Sequence, residues 1–244
     1  MRRVAALAIV GFLTLHGAAL GQQGAPAPGE YITERGWGVL KIEPAAKGAL
    51  AFSIEAVGGN LFVCGLDGEI RNGRADLEGT GGKRCIVRFV RKGEDIDVQA
   101  DSSICNYHCG AHASFPGLYL KVAPACTVGA LKKTREAFKV QYDRKDFAAA
   151  RAVLEPVVKD CARTLDRFEG GWIRNDLAIT KYRLGDRAGC TQTLAPLSKD
   201  AGKSDQHIRN DYGQMDAEKY VPVIKATRTN LKLCSGDRAK TMTR

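Results

Sequence analysis

Residues 69–77 read Glu-Ile-Arg-Asn-Gly-Arg-Ala-Asp-Leu, and these nine residues are the clearest local indication of fold in the chain. Asn-Gly is the preferred pair for a two-residue type I′ turn, because both central residues take a positive φ. Short segments with apolar residues flank the pair on either side. The stretch therefore predicts a tight antiparallel hairpin with Asn72 and Gly73 at its tip.

Other strand-like segments surround this hairpin, and glycine-containing breaks such as Gly58-Gly59-Asn60 and Lys92-Gly93 separate them. Alternating apolar residues place strands at 38–42, 51–57, 61–64, 85–90, 96–98 and 117–122. Seven or eight short strands within about ninety residues are typical of an antiparallel meander. We expect a small barrel or a strongly curled sheet in which the first strand pairs with the last, because this hides both sheet edges.

From about Thr127 the spacing of apolar residues becomes helical. Phe147, Ala150 and Leu154 share one helical face, and Pro222 is placed in the first turn of a final helix. Further apolar faces are formed by Ile173, Leu177, Thr180 and Leu184, by Cys190, Leu194 and Leu197, and by Ile224, Thr227 and Leu231. The predicted fold class is α+β, with an N-terminal antiparallel β meander or small barrel followed by an all-helical domain.

Part of the helical region resembles the tetratricopeptide repeat. The matching residues are Tyr142 to Ala150 with Leu154 and Pro156, and then Leu177, Ala178, Tyr182, Gly185-Asp186, Cys190, Leu194 and Pro196. The interval from Lys145 to Gly185 is 40 residues, against about 34 in that family, and Lys145 stands where glycine is common. The resemblance covers residues 128–198. It implies a tetratricopeptide-like stack of helical hairpins that binds proteins or peptides; hairpins without a binding groove are the alternative.

The β region, over residues 31–126, resembles a recurrent but poorly characterised domain of exported bacterial proteins. The matching residues are Phe52-Ser53-Ile54, Cys64, Gly68, Ile70, Cys85 to Phe89, Tyr107 to Gly110 and Phe115 to Tyr119. This resemblance supports the fold and implies no activity.

The N-terminal residues 1–21 have the three-part layout of a secretory signal peptide. Arg2 and Arg3 precede an apolar run from Val4 to Leu15, and Ala19-Leu20-Gly21 supplies small residues for cleavage after Gly21. We therefore expect a periplasmic or secreted protein, and no later apolar stretch predicts a transmembrane segment. The predicted organisation is a flexible lead at 22–29, a β-rich disulfide domain at 30–126, a helical-hairpin domain at 127–236 and a tail at 237–244.

The chain has eight cysteines, and an even number in an exported protein predicts disulfides. They are Cys64, Cys85, Cys105, Cys109, Cys126, Cys161, Cys190 and Cys234. The predicted element positions favour the pairs Cys64–Cys85, Cys105–Cys109, Cys126–Cys161 and Cys190–Cys234. The last two pairs join ends of antiparallel helices.

Cys105, His108, Cys109 and His112 have the residue types of a zinc site. On a helix, however, Cys105 and His112 stand ~10 Å apart along the axis, too far for one ion. No nucleophile or metalloprotease motif is present in the sequence. We expect no metal and no cofactor, and an enzyme is less favoured than a binding protein.

Charge divides sharply between the two halves. Residues 22–126 carry 11 basic and 12 acidic residues, a balance of −1, whereas residues 127–244 carry 24 and 15, a balance of +9. This asymmetry favours an anionic glycan, a phospholipid headgroup or an acidic protein as partner; charges that only solubilise the helices are the alternative. The stripe of Lys225, Arg228 and Lys232 is the candidate partner-binding surface. Nucleic acid is not expected, because few aromatic residues lie among the basic ones.

The sequence thus predicts a non-catalytic exported envelope protein that binds a protein or an anionic envelope partner. Two alternatives stay open. One is an inhibitor of a wall-degrading enzyme such as lysozyme, for which the loop from Ser114 to Tyr119 offers a polar and aromatic surface. The other is an envelope hydrolase with two carboxylates brought together only in the fold.

Overall fold

Eight antiparallel strands curl into a nearly closed barrel in the computed structural model, which describes residues 25–236. The strands are β1 (Gly29–Thr33), β2 (Gly38–Pro44), β3 (Leu50–Val57), β4 (Val63–Ile70), β5 (Arg74–Glu78), β6 (Arg84–Lys92), β7 (Asp95–Ala100) and β8 (Gly117–Lys121). Their order in the sheet is β4-β3-β2-β1-β8-β7-β6-β5. The expected pairing of the first strand with the last is confirmed, since β1 and β8 share a register that includes Ile32 opposite Leu120.

The predicted hairpin is confirmed at the junction of β4 and β5. Arg71 and Arg74 exchange two backbone hydrogen bonds, at 2.8 and 3.1 Å. Asn72 has φ 53° and Gly73 has φ 72°, as a type I′ turn requires. The sheet order ends at these two strands, so the barrel has a gap between them away from the hairpin.

Residues 102–113 bridge this gap at the end opposite the hairpin, and we call them the bridging segment. It begins with the short helix α1 (Ser102–Cys105). Gly110 donates its backbone N–H to the carbonyl oxygen of Val63 in β4, at 2.8 Å. His108 Nε2 lies 2.8 Å from the carbonyl oxygen of Glu78, the last residue of β5. The segment therefore contacts the strands on both sides of the gap.

Two disulfides fasten the bridging segment, and they correct the predicted pairing of the barrel cysteines. Cys109 is bonded to Cys64 of β4 and Cys105 is bonded to Cys85 of β6. The predicted pairs Cys64–Cys85 and Cys105–Cys109 are wrong, because the bridging segment places Cys105 beside β6 and Cys109 beside β4. Each cysteine of the bridging segment is therefore bonded to a different strand of the barrel.

Buried side chains fill the interior of the barrel. Tyr31 and Tyr119 are both fully buried, and the phenolic hydroxyl of Tyr119 donates to the carbonyl oxygen of Phe115 at 2.8 Å. Further interior residues are Leu40, Ile42, Phe52, Ile54, Ile70, Val87, Phe89, Ile96 and Val98. The alternating strand residues thus form a packed core.

Seven helices follow the barrel in the described part of the chain. They are α2 (Val128–Asp143), α3 (Phe147–Asp160), α4 (Arg167–Arg183), α5 (Arg187–Leu194), α6 (Ser198–Ala201), α7 (Asp205–Asp211) and α8 (Gln214–Ser235). The predicted disulfides Cys126–Cys161 and Cys190–Cys234 are confirmed. The first links the residues just before α2 and just after α3, and the second links α5 to α8.

The hairpins α2–α3 and α4–α5 turn in the same way, 40 residues apart. Lys145 (φ 61°) and Gly185 (φ 81°) both adopt the left-handed conformation. Each is followed by an aspartate that caps the next helix: Asp146 accepts from the N–H of Ala149, and Asp186 from that of Gly189. The repeat interval found in the sequence is therefore a structural repeat.

The last helix begins earlier than the sequence predicts. α8 starts at Gln214, so Pro222 lies inside the helix and not in its first turn. Pro222 is exposed, whereas Val221, Val223 and Ile224 beside it are buried. This packing stabilises the helix despite the hydrogen bond that proline removes.

The outer surface of the barrel and the helices share apolar packing. Ile32 of β1 and Val122 lie in one buried cluster with Phe138 of α2 and Leu165. No helix within residues 25–236 has the length and apolar character needed to cross a membrane. The predicted signal peptide and the predicted tail at 237–244 lie outside the described residues.

Candidate functional site

Two cavities flank α4 where the helices face the barrel. The larger, which we call the barrel-end cleft, has a volume of about 1210 Å³ and lies between the end of the barrel that carries the bridging segment and the N-terminal half of α4. Trp37, Gly58 and Pro116 line it on the barrel side. The smaller, which we call the α2 groove, has a volume of about 800 Å³ and lies between α2, α4 and the outer face of β1 and β2.

Arg174 of α4 lines the barrel-end cleft and is partly buried. Within residues 25–236 its guanidinium has no hydrogen-bond, ion-pair or aromatic partner. Burial lowers the pKa of Arg174 below its ordinary value, because removal from water disfavours the charged form. The guanidinium still remains charged at neutral pH, since arginine is not deprotonated in proteins. Among the described residues, therefore, no carboxylate pairs with the Arg174 guanidinium.

Two further arginines line the same cleft. Arg167 lies over the ring of Tyr212, with 4.7 Å from its guanidinium carbon to the ring centre, and this contact orients its side chain. Arg35 comes from the barrel and has a left-handed backbone with φ 65°. Its backbone N–H donates to the carbonyl oxygen of Arg163 at 2.7 Å, which fixes this turn against the helices.

Three aspartates of the cleft are engaged with other groups of the protein. Asp166 caps α4 by accepting from the backbone N–H groups of Phe168 and Glu169, at 2.6 and 2.8 Å. Asp216 accepts from the N–H of Asn60 at 3.3 Å. Among the described residues, then, neither carboxylate contacts the cleft arginines.

The third aspartate, Asp200, is held by two phenols and a lysine. The hydroxyls of Tyr212 and Tyr220 donate to one carboxylate oxygen at 3.2 and 2.9 Å, and Lys203 pairs with the other at 2.6 Å. Burial and the hydrogen bond to Asp200 raise the pKa of Tyr220, so that its hydroxyl stays protonated and donates.

One reciprocal contact joins a loop of the barrel to the start of α8 beside the cleft. The Asn60 side chain accepts from the backbone N–H of Met215 at 2.9 Å, while Asp216 accepts from the backbone of Asn60. The N-cap of α8 is Gly213, whose hydrogen cannot provide a cap. A loop of the barrel therefore caps the last helix, in the manner of a capping box formed across two parts of the fold.

The α2 groove has a different charge balance. Its apolar floor includes Ile32, Phe138 and Leu165. Arg135 lies between two carboxylates, at 3.1 Å from Glu169 and 3.2 Å from Asp176. Burial raises the pKa of Asp176 to about 6; the positive charge of Arg135 opposes this shift and the negative charge of Glu169 adds to it. Arg135 is thus paired within the protein, whereas Lys132, which also lines the groove, is exposed.

The candidate stripe on α8 takes part in contacts within the helical region. Lys225 pairs with Asp205 at 3.2 Å, and Arg228 pairs with the same carboxylate. Arg228 also donates to the carbonyl oxygens of Ala201 and Lys203, at 3.0 and 2.6 Å. Lys232, one turn further along, is exposed. The stripe thus fastens the α6–α7 segment to α8.

The residues of the candidate zinc cluster are dispersed. Cys105 and Cys109 are in disulfides with two different strands, and His108 contacts Glu78. His112 lies edge-on to the ring of Phe62, with ring centres 5.3 Å apart, and lines the barrel-end cleft. Only this last residue of the cluster thus belongs to the candidate site.

Sequence reasoning did not single out Arg35, Arg167 or Arg174. Trp37 and the Gly170-Gly171 pair also line the cleft, but nothing in the sequence relates them to one another. Comparison of the chain with protein-family models, with curated proteins and with solved structures found no match. The function must accordingly be argued from the geometry.

Proposed function

We propose that this chain is an exported, non-catalytic binding protein whose helical half engages an anionic component of the cell envelope. The observation that carries the proposal is the balance of +9 in residues 127–244, against −1 in residues 22–126. A charge of one sign on one half of a protein attracts oppositely charged surfaces and polymers.

Internal ion pairs leave part of this charge free. Lys132 and Lys133 on α2 are exposed and have no ion-pair partner among the described residues. The cleft arginines add to these free cations. Such charges act over about a Debye length, ~8 Å at physiological ionic strength, and therefore favour a partner that comes into contact with the helical half.

The proposed location rests on two independent features. All eight cysteines form disulfides, which indicates folding in an oxidising compartment outside the cytoplasm. The leader predicted at residues 1–21 is the corresponding export signal. A periplasmic protein and a secreted protein would both be consistent with these two features.

The proposal is tested with the oxidised chain starting at Gln22. Retention on phosphatidylglycerol vesicles and on a carboxylated polysaccharide resin is measured at low and high salt, with neutral vesicles and an uncharged resin as controls. We expect retention on the anionic supports that falls as salt rises, and a weaker retention of the double variant Lys132→Gln/Lys133→Gln. Retention that is insensitive to salt would contradict the proposal.

Two other measurements on the same preparation could contradict the proposed binding function. Turnover of wall fragments or model esters would favour an envelope hydrolase, and stoichiometric inhibition of lysozyme would favour an inhibitor. Crosslinking in the intact envelope that captures one acidic protein would replace the anionic polymer or lipid with a protein partner.

A further inference from the structure

We infer that the barrel-end cleft binds a small ligand through a carboxylate or phosphate group, with Arg174 as the main contact. This inference rests on the proposed function and deepens it, since it names one site and one ligand chemistry within the cationic half. We expect the ligand to carry a ring as well, because aromatic side chains line the same cleft.

Arg174 carries the argument because its charge has no counterpart. A partly buried ion loses hydration, and proteins ordinarily offset this loss with a carboxylate or with hydrogen bonds. Within residues 25–236 Arg174 has neither. Asp166 and Asp216, which line the same cleft, accept hydrogen bonds from backbone N–H groups. A planar guanidinium with free donors matches two oxygens of one carboxylate or phosphate.

Two further arginines line the same cleft as Arg174 and add positive charge to it. Arg167 is held over Tyr212 and presents its charge from the first turn of α4. Arg35 presents a second charge from the barrel. Four acids also line the cleft, and Glu34 is the one for which the described part of the chain provides no partner. Trp37 lines the cleft from the barrel side and offers an aromatic surface to the ring of a ligand.

The size of the cleft fits a ligand of this kind. Its volume of about 1210 Å³ exceeds the ~300–1,000 Å³ of typical small-molecule sites, so that a drug-sized molecule fits with water around it. The interior of the barrel is filled by side chains and provides no comparable space.

The α2 groove serves as an internal contrast. Its Arg135 is partly buried like Arg174, but two carboxylates neutralise it. An incoming anion would have to displace Glu169 or Asp176 and leave that acid unpaired. The two cavities therefore make different predictions for the same anionic probe.

The experiment is a calorimetric titration of the oxidised chain starting at Gln22 with four probes. These are glucuronate, glucose 6-phosphate, glucose and inorganic phosphate. We expect saturable binding of at least one of the two sugar anions, weaker binding of inorganic phosphate and none of glucose. Comparison of glucuronate with glucose 6-phosphate assigns the group as carboxylate or phosphate.

Variants locate the site. Arg174→Gln should weaken the binding of the preferred probe at least about tenfold, because it removes a charge-assisted bidentate contact. Arg174→Lys should lie between this variant and the wild type, since it keeps the charge and loses the fork. Arg183→Gln is the matched control, with the same charge change at an exposed position of the same helix, and should change the affinity less than twofold. Thermal unfolding verifies that each variant is folded.

Equal affinities of Arg174→Gln and Arg183→Gln would overturn the inference, as would the absence of saturable binding by any of the oxyanions. Either result, together with salt-sensitive retention on anionic supports, would leave the proposed function in place and remove only the site. Salt-insensitive retention would remove the proposed function itself.

Discussion

Arg174 and Asp176 lie two residues apart on α4 and face different cavities. Asp176 forms an ion pair with Arg135 at 3.2 Å in the α2 groove. Arg174 lines the barrel-end cleft and has no partner among the described residues. Residues spaced by two on a helix point to different sides, so α4 forms a wall shared by both cavities. One side of this wall thus presents a paired carboxylate and the other presents an arginine without a partner in the described part of the chain.

The raised pKa of Asp176 predicts a pH-dependent stability. In the folded protein this pKa is about 6, against an ordinary value of 3.8. Between these values the folded state binds more protons than the unfolded state, so the free energy of unfolding falls as pH rises from about 4 to about 6. Asp176→Asn should remove this part of the slope and be the more stable form at pH 7.5, by on the order of 1 kcal/mol.

Urea unfolding of both proteins at a series of pH values measures this difference. Asp160→Asn, at the exposed last residue of α3, is the control for the loss of one carboxylate. Identical pH slopes for the wild type and Asp176→Asn would contradict the assignment.

The contact between Asn60 and α8 predicts a graded loss of stability. Asn60→Gly tolerates the left-handed backbone at φ 57° but loses the cap on Met215, and should cost about 1 kcal/mol. Asn60→Ala loses the cap and adds a strained backbone, and should cost about 2 kcal/mol. Unfolding by urea gives both values. Should the two variants match the wild type, the barrel loop would not cap the helix.

The two helical hairpins predict a stabilising substitution. Lys145 occupies the left-handed position at which Gly185 stands in the second hairpin. Lys145→Gly should raise the free energy of unfolding by about 0.5–1 kcal/mol, because glycine has no Cβ to clash in this conformation. The reverse change, Gly185→Ala, should lower it by a similar amount. A loss of stability in Lys145→Gly would show that the Lys145 side chain makes a compensating contact.

The bridging segment predicts a specific disulfide map. Unreduced digestion with trypsin and chymotrypsin should release Cys64 joined to Cys109, and Cys85 joined to Cys105. Cleavage after Tyr107, which is 59% exposed, separates the two cysteines of the segment. The double variant Cys64→Ala/Cys109→Ala should lose ~2–4 kcal/mol of stability. Recovery of Cys64 joined to Cys85 would contradict the structure.

Features of the fold that depend on local sequence could be predicted. The hairpin at Asn72-Gly73 could be predicted because both residues favour a positive φ. The two helical turns at Lys145 and Gly185 could be predicted because the residues around them are similar and recur at a fixed interval. The helical disulfides follow from the ends of neighbouring helices. In each of these cases the prediction needs only the local conformation or the positions of helix ends along the chain.

The barrel disulfides and the candidate site could not be predicted because they depend on distant contacts. The bridging segment pairs with β4 and β6 only once the barrel has formed. The cleft brings Arg35, His112, Arg174 and Tyr212 together from separate elements. Composition indicated that cations are in excess in the helical half, but only the ion pairs in the structure distinguish Arg174 from Arg135 and Arg228.

The nested barrel disulfides impose an order on maturation. In a chain exported from its N-terminus, Cys64 and Cys85 reach the oxidising compartment before the cysteines of the bridging segment. Oxidation in order of arrival would join these two and trap the wrong pair, since Cys64 must wait for Cys109. A Cys64–Cys85 bond formed in this way would have to be rearranged by thiol–disulfide exchange, whereas consecutive oxidation of Cys126 and Cys161 gives the observed pair.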